Sequence, residues 1–542
     1  MKILGGAIGS DVHTAGLVMF LELAKKEGFE TVNLGAAVPV EKFVNAIEKE
    51  KPDVVSIGYR LGKEPLKKLL EEFFKLIDEK NLDDRIFIFG GTIETAEVAR
   101  NFGRFHAIFD GRQETEDVIM FLRGEMRKKE KGEIPPQTLW ERVEYKKPYP
   151  LFRHHIGLPS MEETIKEIEK LAESEILDII SIAPDQNAQQ YFFEPEKMDK
   201  NQDGAGGAPI RSVEDFKKLY EASRRGNYPL VRSYAGTRNL LKFSKLLKET
   251  INNAWAAIPI FWYSELDKRS ERPLEKAIEE NIEAIKWNAE NGVPVEINDA
   301  HQWGLRFAHD ALVVADTYLI TYIAKKLGVK HYVQQYMLMT PHFLSPKYDI
   351  AKNIAMKEIV KSFEDSTFKT YTMIRAGLLS FPADPYMAMG QLVSEMFYGA
   401  YLEPDIVHVV AYCEAIERAK AKEIIESVKM TKRALAIARM GLPDFKEDPE
   451  IKERVEYLKE EAKVIIQAIR NLGEAMGESG DPLLNPKVLS RAVREGILDA
   501  HGLIGSNVAP GKIKIDFSTG GVNSVNESGK ILPESKRLEK YL

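Results

Sequence analysis

The 542-residue sequence has a single cysteine, Cys413. A lone thiol excludes an internal disulfide framework. It also excludes any multi-cysteine metal or iron–sulfur site built by this chain alone, and it points to a reducing, cytoplasmic setting. Long apolar runs are missing too: nothing approaches the roughly 18–20 residues that a membrane span needs. The opening Met1-Lys2-Ile3-Leu4-Gly5-Gly6 runs straight into a domain and does not read as a signal peptide. There is no basic excess, since 76 Lys and Arg stand against 83 Asp and Glu for a net charge of −7. A phosphate-backbone binder carries a basic face, so nucleic acid is not an expected partner. What is present is apolar material for large cores, 44% of residues, with 29% charged, which rules out a disordered chain. At about 150 residues per domain the length suggests roughly three to four domains, or two if one is a large barrel.

In residues 1–128 short apolar runs alternate with amphipathic helical patterns, the mark of a parallel α/β sheet. Strands are predicted at Lys2–Ala7, Glu30–Leu34, Asp53–Ile57, Arg85–Phe89 and Ala107–Phe109. The helices between them fall near Ala15–Glu27, Val40–Lys51, Leu66–Glu79 and Glu94–Phe102, and a fifth, Glu114–Met126, closes the unit. This is a doubly wound, flavodoxin-like (Rossmann-like) arrangement, whose ligands sit at the carboxyl ends of the strands, at the topological switch point.

Those ends carry Asp11-x-His13-x-x-Gly16 after strand one, Ser56-Ile57-Gly58 after strand three and Gly90-Gly91 after strand four. A histidine in a strand-end loop can offer a ring nitrogen to a metal, and a carboxylate two residues away can fix its tautomer. Paired glycines admit a bulky ligand close to the backbone. For one Asp-x-His alone, a loop hydrogen bond is the simpler reading. Three features in register on one sheet resemble the signature of cobalamin-binding domains in which a histidine replaces the nucleotide base below cobalt. The resemblance implies His13 as the lower cobalt ligand and Asp11 as its hydrogen-bond partner. It also implies Ser56, Gly90 and Gly91 lining the slot for the displaced nucleotide tail, with Gly16 and Gly58 beside them. One departure is that Gly58 stands where such domains usually have leucine.

Residues 129–150, with Pro135-Pro136 and Pro148, read as an exposed linker. Eight strand-like runs follow, each with a helical pattern behind it: Arg153–Leu158, Leu177–Ala183, Pro229–Tyr234, Ala256–Tyr263, Val293–Asn298, His331–Tyr336, Lys369–Ile374 and Ile406–Tyr412. Eight parallel βα units predict a TIM (β/α)8 barrel over 151–470, its site at the carboxyl ends of the strands. Residues 471–542 are then a C-terminal extension packing on it. The charged stretch Glu447–Leu472 reads as a packing or solvated helix.

The strand ends are polar: Arg153-His154-His155, Asp185-Gln186-Asn187, Arg232, Tyr234, Tyr263, Asn298-Asp299, His301, Gln334-Gln335, Arg375 and Glu414. Singly, each is most simply a surface or ion-pair residue; as a ring they describe a pocket that holds a substrate by hydrogen bonds. Pro229-Leu230-Val231-Arg232, Asn298-Asp299, Phe381-Pro382-Ala383-Asp384, Glu414-Ala415 and the tail from Glu495 to Lys512 resemble, in that order, the large component of glutamate mutase (methylaspartate mutase). The resemblance implies an adenosylcobalamin-dependent carbon-skeleton mutase with both components in one chain, and a homodimer. It gives Glu414 to the adenosyl ribose and Arg232, Tyr263, Asp299 and Arg375 to the substrate. Other family positions are lost: a lysine is Val410 here, and no arginine lies in Ala188–Gln190. Glutamate is therefore a poor fit, and the amide-rich strand ends suggest a small polar or neutral substrate. The competing readings are a corrinoid methyltransferase and a non-catalytic corrinoid sensor or storage protein. A pyridoxal-phosphate aminomutase is disfavoured because no strand-end lysine stands out.

Overall fold

The computed structural model describes residues 1–113, 115–124, 134–234 and 236–542, with only the backbone of Glu116. They form two compact units, Met1–Glu133 and Ile134–Leu542.

The first unit is a five-stranded parallel sheet of β1 (Lys2–Ala7), β2 (Glu30–Asn33), β3 (Val54–Tyr59), β4 (Ile86–Gly91) and β5 (Ala107–Phe109), in the order β2-β1-β3-β4-β5. The strands are apolar on both faces because helices cover both. Leu4, Val55, Ile57, Phe87 and Phe89 pack with residues of helices Val40–Glu50, Lys63–Glu79 and Ile93–Phe102. The alternate positions Ile3, Val54 and Ile88 pack with helices Ala15–Lys26 and Thr115–Leu122. All five predicted strands are present. β3 and β4 each run two residues further than predicted, so Ser56 and Gly58 lie within β3, and Gly90 and Gly91 are the last two residues of β4 rather than a following loop. Of the predicted helix Glu114–Met126, residues 115–122 are helical; Glu114, Glu125 and Met126 lie outside the described residues.

The second unit is built on eight parallel strands: β6 (Leu151–Ile156), β7 (Ile179–Ile182), β8 (Leu230–Ser233), β9 (Ala256–Ala257), β10 (Val295–Glu296), β11 (His331–Met337), β12 (Lys369–Arg375) and β13 (Ile406–His408). Their order is β8-β7-β6-β13-β12-β11-β10-β9. The two ends of that order meet where the Ala254 N–H donates to the Val231 carbonyl of β8 at 2.8 Å, which closes the (β/α)8 barrel. β9 is two residues long, against a predicted run to Tyr263, because the chain leaves the sheet there. The amides of Ile260 and Phe261 are held by the Asp299 carboxylate, and Tyr263 has φ +62°.

One expectation is overturned at the barrel's lower end. The described part of the supposed exposed linker, 134–150, is no tether. Its helix Leu139–Lys146 buries Leu139 and Val143 against Leu151, Ile179, Leu230, Val333 and Ile406, closing the amino end of the barrel. The Arg142 guanidinium donates to the carbonyls of Pro136 (2.7 Å) and Tyr228 (2.9 Å). Residues 129–133 lie outside the described residues. The predicted boundary at residue 470 also cuts through a helix, Pro449–Ala475, which buries Ile451, Val455, Leu458, Ile465 and Ile469 in the barrel's outer layer. The tail beyond it is tied in by charge. Arg454 donates to Asp310 (2.8 Å) and Asn523 (2.7 Å), and Glu534 pairs with His309 (2.9 Å). Among the described residues no helix is long and apolar enough to cross a membrane.

Candidate functional site

Two places in the molecule gather the predicted residues, one in each unit. In the first unit, the loop after β1 turns the Asp11 side chain inward, fully buried, and leaves the His13 side chain 54% exposed. Asp11 Oδ1 accepts the His13 backbone N–H at 2.8 Å and contacts His13 Nδ1 at 2.7 Å; Oδ2 accepts the Arg60 N–H at 2.5 Å. A carboxylate is an acceptor, so Nδ1 carries the ring proton and the Nε2 lone pair is left as a ligand. Nε2 has no protein partner among the described residues.

The ring stands at a cavity of about 570 Å³ at the carboxyl ends of β1, β3 and β4. Gly16, Ser56, Gly58, Gly90 and Gly91 all line it. Gly90 is open: a Cβ there would meet nothing within 4 Å. At Gly91 a Cβ would collide with Thr95 Oγ1 of the following helix and stand 2.6 Å from the Tyr59 carbonyl oxygen of β3, so this glycine serves close packing of β4 against both. At Gly58, the position that departs from the family pattern, the nearest atom to a Cβ would be the Gly6 carbonyl oxygen at 3.8 Å. The slot is therefore wider there than leucine would leave it. Sequence reasoning missed Tyr59, Phe109 and Asp110, which also line the cavity. Arg112 and Arg100 hold Asp110 well below the usual carboxylate range.

A family model described as the B12 binding domain matches residues 1–119. Through this unit the chain belongs to the B12-binding family. Among curated relatives, the glutamate mutase sigma subunit of Carboxydothermus hydrogenoformans is 32% identical over 135 residues, 23% of this chain and 96% of that subunit. Glutamate mutase sigma subunit 1 of Haloarcula marismortui is 27% identical over 134 residues, 23% of this chain and 85% of its own length. The beta subunit of D-ornithine 4,5-aminomutase from Acetoanaerobium sticklandii is 33% identical over 105 residues, 18% of this chain and 14% of that subunit. Cobalamin is the cofactor of the B12-binding unit, and the residues fit it. One imidazole nitrogen is presented to a slot whose walls are glycine and serine, and the partner that sets its tautomer is buried behind it.

The second place is the interior and mouth of the barrel. Arg153, His155, Arg232, Gln335, Arg375 and His408 come from five strands or their ends. Arg153 donates to Ser181 Oγ at 2.7 Å and contacts His155 Nε2 at 2.7 Å and His408 Nδ1 at 3.0 Å. His155 and His408 meet at 3.1 Å, and Gln335 bridges His408 (3.2 Å) to His301 (3.1 Å). Burial, then the neighbouring arginines, push His155, His301 and His408 well below the ordinary histidine range, so all three are neutral. Arg153 and Arg232 lie over the Trp255 ring at 5.4 and 5.0 Å. Arg232 is 1% exposed, and its Nε and Nη2 have no hydrogen-bond partner among the described residues; Arg375 Nε is in the same state. Arg153, Arg232 and Arg375, all three on the predicted ring of polar strand ends, thus gather here.

The remaining predicted residues take distinct places. Tyr263 is buried, with Arg269 over its ring at 5.1 Å, and burial raises its hydroxyl above the ordinary range. Asp299 is fully buried with both oxygens on the Ile260 and Phe261 amides, and burial pushes it up to about 7. It shapes the β9 exit through the backbone. Glu414 pairs with His154 Nε2 at 2.8 Å and accepts the Ala411 N–H at 2.9 Å. Burial raises its carboxyl, but His154 outweighs that and holds it below the ordinary value.

Proposed function

We propose that this protein is a cobalamin-dependent isomerase of the mutase type, with adenosylcobalamin held through His13 and a small anionic substrate held in the barrel. The observation that carries the reading is the His13–Asp11 pair set at the mouth of a glycine-walled slot. The names of the relatives, mutases and an aminomutase, support it. Adenosylcobalamin, when bound, supplies a carbon-centred radical, and the protein supplies binding, orientation and enclosure.

Asp11 keeps the proton on His13 Nδ1 and so keeps Nε2 available. Ser56, Gly58, Gly90 and Gly91, with Gly16 at the rim, leave room for the nucleotide tail. In the barrel, the unpartnered faces of Arg232 and Arg375 grip the substrate anion. Arg153, locked by Ser181 and two histidines, fixes the pocket wall. Tyr263 offers a neutral hydroxyl and Asp299 acts as a positioning residue. Glu414, set by His154, is assigned to the adenosyl ribose. No free acid or base is needed, because a radical rearrangement moves a hydrogen atom rather than a proton.

The test is isotope transfer. The full chain incubated with 5′-tritiated adenosylcobalamin and a panel of small carboxylic acids is expected to move tritium into one of them. Methyl transfer from methylcobalamin, with no tritium movement, would replace this reading with a methyltransferase.

A further inference from the structure

The charge inventory of the barrel mouth narrows the substrate class, and the argument rests on the barrel being the substrate site as proposed above. An amino-acid substrate brings a carboxylate and an ammonium, and a buried ammonium needs an acidic partner. Each carboxylate at the mouth is already committed. Glu296 accepts the Trp255 indole N–H at 2.7 Å, beneath the two arginines that lie on the same ring. Asp299 holds two backbone amides. Asp185 accepts the amides of Ala188 and Gly204, each at 2.9 Å, and pairs with Arg211. Asp267 lies between Arg269 (3.6 Å) and Arg306 (3.7 Å). Glu414 is paired with His154.

Among the charged groups here, Arg232 lacks hydrogen-bond partners among the described residues through two nitrogens and Arg375 through one. Asp267 Oδ2 also lacks a hydrogen bond but lies between its two arginines. Asp316, near Asp299, has neither oxygen bonded, and burial raises it well above the ordinary carboxylate range and so keeps it uncharged. The Glu296 carboxylate acts on both Arg153 and Arg232, so it is shared between two buried guanidiniums. A guanidinium short of counter-charge is costly, and a bound carboxylate removes that cost. The other polar groups facing in are neutral imidazoles and amides, which suit a hydroxyl or carbonyl. We infer that the barrel binds a small carboxylate that carries no ammonium group, such as a hydroxy, oxo or unsaturated acid. An ammonium would enter a net positive field with no acid to receive it, and such a site discriminates by orders of magnitude.

The test is calorimetric titration of the full chain, without corrinoid, with matched pairs: glutarate against L-glutamate, succinate against L-aspartate, propionate against L-alanine. At least one ammonium-free acid is expected to bind about tenfold or more tightly than its aminated partner. Arg232→Gln, and independently Arg375→Gln, should weaken that binding by at least about tenfold while the melting temperature stays near wild type. Since Arg232 Nε and Nη2 make no hydrogen bond among the described residues, the first substitution removes no hydrogen bond of theirs, only the guanidinium's place over the Trp255 ring. If the aminated partners bind as tightly or more tightly, still through Arg232, the ammonium-free class is wrong while the anion site stands. If wild type and both variants bind all six acids equally or not at all, the arginine site itself is wrong. Neither outcome touches the isomerase reading, which tritium transfer tests separately.

Discussion

At the scale of single residues, Asp11 explains why His13 can act as a ligand. Its two oxygens are fixed by two backbone amides as well as by the ring, so the imidazole cannot rotate without breaking a buried acceptor's bonds. The motif made this legible in the sequence; the Arg60 amide, 49 positions away, was not, because only the fold brings β3 beside the loop. Cys413 has no part in a site. Although it is next to Glu414 in the chain, it is buried in the hydrophobic core of the barrel unit. Burial, with Glu414 adding to it, pushes its thiol up to about 12. The thiolate is the reactive species, so iodoacetamide at pH 8 should leave the folded protein unmodified and label one site after unfolding in guanidinium. Stoichiometric labelling of the folded chain would contradict that placement.

At the scale of elements, the ends of β4 and β12 make separable predictions. Gly90 has open space and Gly91 has none. Gly90→Val should leave the melting temperature near wild type and weaken cobalamin binding by about tenfold or more. Gly91→Ala should lower the melting temperature, because its Cβ would collide with the Tyr59 carbonyl and shift β3 against β4. Beyond β12, buried Glu395 accepts the Gly377 N–H at 2.8 Å, and burial pushes its carboxyl up to about 8 from 4.5. The folded state then holds a proton that the unfolded chain has lost. The stability this gives is complete below about pH 4.5 and is lost as pH rises through 8. Glu395→Gln should flatten the fall in denaturation free energy between pH 5 and 8; an unchanged slope would remove Glu395 as its source. The strand count was legible because apolar runs mark buried parallel strands. The lengths of β9 and β10 were not, because their apolar continuations, Ile258–Trp262 and Ile297, are buried as loops. A buried loop and a buried strand share a composition.

At the scale of the whole molecule, a sheet unit and a barrel unit were both readable from the alternation of patterns, and the segment between them was misread. Prolines and charges gave 129–150 the look of a tether. Leu139 and Val143, four residues apart on one helical face, were the signal that it had something to cover. That Arg153, Arg232 and Arg375 share one ring of strand ends was legible, but that two of them have nitrogens without hydrogen-bond partners among the described residues was not. They stand on three strands separated by tens to hundreds of residues, and only barrel closure makes them neighbours. The consequence is a change of expected substrate, from polar or neutral to anionic.

The central claim is that His13 Nε2 is the protein's cobalt ligand. The direct measurement is the electron paramagnetic resonance spectrum of cob(II)alamin bound to the full chain, with histidine carrying natural nitrogen and then nitrogen-15. We predict a threefold splitting from one imidazole nitrogen that becomes twofold on labelling, and loss of that response to the label in His13→Ala. A spectrum of the wild-type protein that ignores the histidine label, or a splitting in His13→Ala that still changes from threefold to twofold with the label, would contradict the account.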